Sequence, residues 1–142
     1  MSLKKINTVL AAAFILFILW FGTEFVLSPA ATAPTFGLPS WPSGDGGGFL
    51  IVKGIRDIVL ALVLGILLLT GHRRALGWAL LVEAFAAYGD MATVLAHHGS
   101  VAIAFGIHCL TATLMVVNGL LVLRETRGAA VAPAVPRAPQ PA

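Results

Sequence analysis

Charge is scarce in this chain. Only 11% of its 142 residues are charged, 58% are hydrophobic, and the mean hydropathy is +0.95. A soluble domain of this size needs more polar surface, so the composition excludes that class and fits one polytopic membrane domain. Cysteine is almost missing as well. Cys109 stands alone, which excludes an internal disulfide and leaves no thiol pair for redox work. No compact basic face with interleaved aromatics exists, despite a pI of about 9.6. Lys4, Lys5, Arg73, Arg74, Arg124, Arg127 and Arg137 flank apolar segments or lie in the tail. Membrane topology explains that basic excess, and a nucleic-acid partner is not expected. Also absent are a nucleophile elbow, a phosphate loop and a metal motif. His97 and His98 are adjacent and would point apart on a helix, so no metal site is expected without a further ligand.

What the chain has in abundance is long apolar runs. Four stand out, at about 6–27, 49–70, 75–96 and 101–123, each close to the roughly 20 residues that cross a hydrocarbon core as a helix. Gly71 is placed to end the second run before the basic turn His72, Arg73, Arg74, and Gly99 with Ser100 supplies a stop and an N-cap before the fourth. Short turns make antiparallel neighbours. The expected fold is an all-α, integral membrane, up-down four-helix bundle over residues 1–127, followed by a disordered Pro/Ala-rich tail, 128–142. All the flanking Lys and Arg residues fall on one side, which places both termini in the cytoplasm and suggests a bacterial inner (plasma) membrane location. The first segment shares features with a secretory signal: Lys4 and Lys5, an apolar run, then Ala31-Thr32-Ala33. However, Ala33 lies far beyond the run, Pro34 would begin the mature chain, and Trp20, Phe21 and Glu24 suit a signal core poorly. We read the segment as a retained anchor. The 28–48 loop, rich in Pro and Gly, is expected to be irregular; its Phe36, Leu38 and Trp41 fit either a lid over the outer mouth or an interfacial connector.

The informative residues are the charges inside these runs. Lys53, Arg56 and Asp57 share the second, Glu24 lies in the first, Glu83 and Asp90 in the third, and His108 in the fourth. A charge at the centre of a membrane helix costs roughly 2.5–3.5 kcal/mol on insertion scales, so such residues mark sites unless they pair inside the protein. At a rise of about 1.5 Å per residue, Glu24, Lys53, Arg56, Asp57, Asp90 and His108 sit roughly 6–14 Å below the outer surface, with Glu83 deeper. Spacing permits a Lys53–Asp57 pair. Inward stripes are expected along Ala13, Phe17, Trp20 and Glu24; along Glu83, Asp90 and His97; and along Ala104, His108, Thr111, Met115 and Asn118.

Three functional readings follow. In the first, a pocket in the outer half binds a small amphipathic or lipophilic molecule: Lys53 and Arg56 take an anionic or carbonyl oxygen, Asp57 and Glu24 complete the binding set, and Asp90 with His108 exchanges a proton. If catalytic, the chemistry would be isomerisation or cyclisation of an isoprenoid-like substrate. In the second, the chain is a non-catalytic accessory subunit whose charges fix helix register. In the third it couples transport to protons, which would require an oligomer because four helices are few and no broken-helix repeat is present. Membrane lipid is a partner in every reading. Whether the protein is an enzyme, and which cofactor it would take, is not readable from these residues.

Several elements resemble a family of small bacterial and fungal membrane proteins, the domain of unknown function number four-two-six-seven. They are Lys53-Gly54-Ile55-Arg56-Asp57, Gly71-His72-Arg73-Arg74-Ala75, Gly89-Asp90 and His108. The resemblance covers about residues 6–124 and implies four membrane helices without an assigned activity. By architecture alone the chain is also similar to DoxX-like quinol-oxidase-associated subunits, and architecture does not give function.

Overall fold

The structure is a computed structural model describing residues 2–130. The described residues are helical, with no strand among them. Helix α1 spans Leu3–Leu27, α2 Pro29–Thr32, α3 Gly48–Leu69 and α4 Arg73–Ala96. A short α5, Val101–Ile103, runs through a π-helical turn, Ala104–Cys109, into α6, Leu110–Ala130. The tail expected from residue 128 lies, past Ala130, outside the described residues.

Three helical stretches are long and apolar enough to cross a membrane: Leu3–Leu27, Arg73–Ala96 and Val101–Arg127. Helix α3 has similar length, but every eighteen-residue stretch of it contains Lys53, Arg56 and Asp57. Exposed apolar side chains, such as Leu16, Ile66, Phe85 and Leu120, run along all four long helices. Surfaces of this kind suit lipid rather than water.

Helix α1 packs mainly on α3, and α4 mainly on α6. Each pair approaches through facing glycines. A Cβ added to Gly54 would lie 2.6 Å from the Gly22 carbonyl oxygen, and one added to Gly119 would lie 2.9 Å from that of Gly77. Helices that meet through small residues bring their backbones into close contact, which is how membrane helices associate without a hydrophobic driving force. The apolar core joins the pairs at the end that bears the termini, where Ala11, Phe14, Leu64, Leu76, Leu80, Ala84 and Met115 cluster.

Polar contacts clasp that same end. The Arg73 guanidinium donates to both Glu125 carboxylate oxygens, at 3.2 and 3.0 Å, and to Thr8 Oγ1 at 3.1 Å. The Asn7 side-chain amide donates to Glu125 at 3.1 Å. Three helices are thereby tied by one ion pair. A two-pronged Arg–carboxylate contact is the strong and geometrically specific form of such a pair.

The turns follow their residues. After α3, the His72 N–H reaches the Leu67 carbonyl at 2.9 Å and the Gly71 N–H that of Leu68 at 3.3 Å, with Gly71 at φ 74°. This is a Schellman end with glycine in the left-handed position. After α4 the same pattern recurs, but His98 rather than Gly99 takes the left-handed position, at φ 57°. Gly99 serves instead as a close-approach residue: an added Cβ would collide with the carbonyl of Gly37 and with Val94. Ser100 caps the next helix, its Oγ accepting from the Ile103 N–H at 3.3 Å.

The 28–48 loop departs from the irregular form expected of it. It contains α2 and two 3-10 turns, Ala33–Phe36 and Gly44–Gly47. Pro29 and Pro34 each sit in the first turn of a helical piece, where a missing N–H costs nothing. The loop folds back on the bundle: the Ser100 N–H donates to the Gly37 carbonyl at 2.8 Å.

Candidate functional site

At the end opposite the termini the helix pairs are separated by a cavity of about 90 Å³. Its ionisable lining is Lys53 and Asp57 from α3, Glu83 and Asp90 from α4, and His108 from the π turn. Phe17 and Phe21 from α1, with Thr111 and Met115 from α6, supply apolar and weakly polar wall. Four of the residues expected to form a site, Lys53, Asp57, Asp90 and His108, are thus brought to one chamber, joined by Glu83.

Two are not. Arg56 is exposed, does not line the chamber, and makes no ion pair with the described residues. It precedes Asp57 by one residue, a step of about 100° around α3, which turns it away from the face that Asp57 presents to the chamber. Asp90 is nonetheless within electrostatic range of it. Glu24 is half-buried and lines a neighbouring groove of about 270 Å³ with Trp20, Ala31, Thr32 and Thr35. Groove and chamber share Phe17, Phe21 and Ile107 as walls.

The inward face of α1 also differs from the expected stripe. Trp20 is 58% exposed, whereas Asn7, Ala11, Phe14, Gly22 and Phe25 are buried. In a helix surrounded by lipid, polarity is a poor guide to the inside, and small residues mark the contact face instead. The stripe along the fourth segment matches better, with Ala104, His108, Met115 and Asn118 buried, and on α4 Glu83 is buried while His97 is exposed. Asn118 is fully buried with neither amide atom hydrogen-bonded, and nothing in the structure explains it.

Lys53 is held from several sides. Its Nζ lies 2.5 Å from an Asp57 carboxylate oxygen, one helical turn away. The rings of Phe25, Phe36 and Phe21 surround the same ammonium, with centroids at 4.6, 5.1 and 5.2 Å. Each is within cation–π range. The ammonium therefore already has a carboxylate partner and three aromatic neighbours before any ligand arrives.

His108 is 5% exposed. Its Nε2 lies 2.9 Å from the Phe36 carbonyl oxygen. A carbonyl only accepts, so Nε2 carries the hydrogen, and in the neutral ring Nδ1 is the nitrogen able to take up a proton. The Phe36 ring also packs on the imidazole, with centroids 4.8 Å apart. Phe36 thus ties the loop to both Lys53 and His108, two residues of the chamber lining. The π turn places His108 there by inserting one residue into the helix, a device common at functional sites. Gly106, mid-turn, was its only hint in the sequence. Glu83, 8% exposed, presents a buried Oε2 that finds no partner among the described residues. An unpaired buried acceptor of this kind costs about 1–3 kcal/mol.

A family model described as Domain of unknown function (DUF4267) matches residues 15–122. The chain belongs to this family. No curated protein and no solved structure matches the chain significantly. The DUF4267 match contains every residue that lines the chamber, while Asn7, Thr8 and Glu125 of the opposite clasp lie outside it.

Proposed function

We propose that this DUF4267 protein is a four-span, up-down membrane bundle with both termini in the cytoplasm, and that its chamber binds the polar end of a small amphipathic molecule and handles a proton. The carrying observation is that five ionisable groups, supplied by α3, α4 and the π turn, line one cavity. Helix α3 is the fourth span because its charges turn largely inward or lie near the loop end, where Arg56 can extend toward the interface. The basic residues flanking the spans set the orientation.

Size limits what enters. About 90 Å³ suits a headgroup or a few waters, whereas pockets that enclose a whole drug-sized molecule run to roughly 300–1,000 Å³. The apolar remainder of a ligand would lie in the groove beyond Phe17 and Ile107. Asp90 and His108 are the proton donor–acceptor pair: a carboxyl is suited to release a proton and imidazole Nδ1 to receive it.

The test is saturable binding of decanol, decanoate and decylamine to the full chain in nanodiscs, followed by tryptophan emission. At least one should bind saturably, and Asp90→Asn or His108→Ala should weaken it tenfold or more while helical circular dichroism is unchanged. If no compound saturates, or both variants bind undiminished, the reading fails.

A further inference from the structure

The charge around the chamber is lopsided once Arg56 is seen to face outward. Asp57, Glu83 and Asp90 stand against one lysine, Lys53, and one histidine able to take up a proton, His108. That lysine already has a carboxylate partner and three aromatic neighbours. Among the described residues no unpaired lysine or arginine lines the chamber to meet an anionic or carbonyl oxygen. Glu83 adds an independent sign: it is more than nine-tenths buried, lines the cavity, and its Oε2 lacks a donor among the described residues.

The neighbouring groove has the same bias. Its only ionisable residue is Glu24, whose carboxylate makes no ion pair or hydrogen bond with the described residues. Beside it Phe17, Trp20 and Phe21 form an aromatic cluster with centroids 6.0 to 6.2 Å apart. A carboxylate next to aromatic faces is the combination that holds organic cations. Groove and chamber share the walls Phe17, Phe21 and Ile107, so carboxylates stand in both spaces that these side chains border.

We infer that the ligand is a primary alkylammonium amphiphile, its N–H groups received by Glu83 and Asp90 in the chamber. This rests on the reading that the chamber binds the polar end of an amphiphile. A primary ammonium brings three donors to a site rich in unpaired acceptors. A trimethylammonium brings none and is bulkier than the space favours. The shared chemistry could come from a free alkylamine or from the amine of an ethanolamine lipid headgroup.

The test compares decylamine, decyltrimethylammonium, decanol and decanoate, matched in chain length, on the full chain in phosphatidylglycerol nanodiscs. Decylamine should bind at least tenfold more tightly than the other three. Glu83→Gln and Asp90→Asn should each erase most of that preference, while Arg56→Gln should leave it intact. If decanol, decanoate or decyltrimethylammonium binds as well as decylamine, or Glu83→Gln and Asp90→Asn both keep the preference, the ammonium inference falls and the chamber reading stands. If none of the four saturates, the chamber reading itself falls. Both sources of amine would support the inference: phosphatidylethanolamine in the nanodisc should compete decylamine away if a lipid headgroup is the occupant, and should leave its affinity unchanged if a free amine is.

Discussion

The two ends of the bundle solve the same problem in opposite ways. At the end bearing the termini, Arg73 and Glu125 engage each other twice, Thr8 and Asn7 add hydrogen bonds, and an apolar cluster fills the space between helices. At the loop end the ionisable residues are more numerous, yet they surround a cavity and Glu83 keeps an unpartnered oxygen. One end uses a single saturated ion pair to fix three helices. The other keeps polar groups around open space, which stability alone does not favour. The contrast teaches that charge inside a membrane helix is not one signal: whether its partners are already supplied decides whether it is a fastener or a site.

The comparison can be broken most severely at a helix contact. Gly54→Val should prevent assembly, because the new side chain would start within 2.6 Å of the Gly22 carbonyl and 2.9 Å of Phe25 Cβ. The measurement is recovery of monodisperse protein after extraction. Gly65→Ala is the control, since its Cβ would meet only Ile15 at 3.8 Å, and it should cost nothing. A monodisperse Gly54→Val protein would show that the glycine contact is dispensable.

The next largest effect belongs to the clasp. Arg73→Met removes both guanidinium hydrogen bonds from the partly buried Glu125 carboxylate, and losing a hydrogen bond to a charged group costs about 1.5–3 kcal/mol. A clear fall in thermal midpoint is expected. Pairing it with Glu125→Met should recover much of the loss, because two apolar side chains need no partner. If Arg73→Met leaves the midpoint unchanged, the terminal end is not fastened as described. The smallest effect is expected at Arg56. It is exposed and unpaired among the described residues, so Arg56→Gln should change stability by no more than about 0.5 kcal/mol. A large change would place that guanidinium inside the polar network after all.

Much of the helical layout was legible. The apolar runs at about 6–27, 49–70, 75–96 and 101–123 correspond to α1, α3, α4 and the α5–α6 stretch within a few residues, apart from the longer end of α6. Gly71 and Ser100 end and begin helices where turn chemistry requires. Lys53 and Asp57 pair as their four-residue spacing allows. Less could be read about facing. Trp20 and Arg56 lie outward, and Glu24 lines the groove instead of the chamber. The clasp escaped notice because Asn7 and Glu125 lie 118 residues apart, and no local pattern links them. The role of Phe36 depends on where a long loop comes to rest, which its turn residues do not specify.

By itself the sequence determined that the described chain is helical and that helices of membrane length carry ionisable groups, since hydropathy and the need to satisfy backbone polar groups act along the chain. Only the tertiary structure decided which charges share a chamber. A helical side chain changes direction by about 100° with each residue, and glycine contacts, the π turn and the folded loop set the rotation of each helix, so neighbours such as Arg56 and Asp57 end in different surroundings.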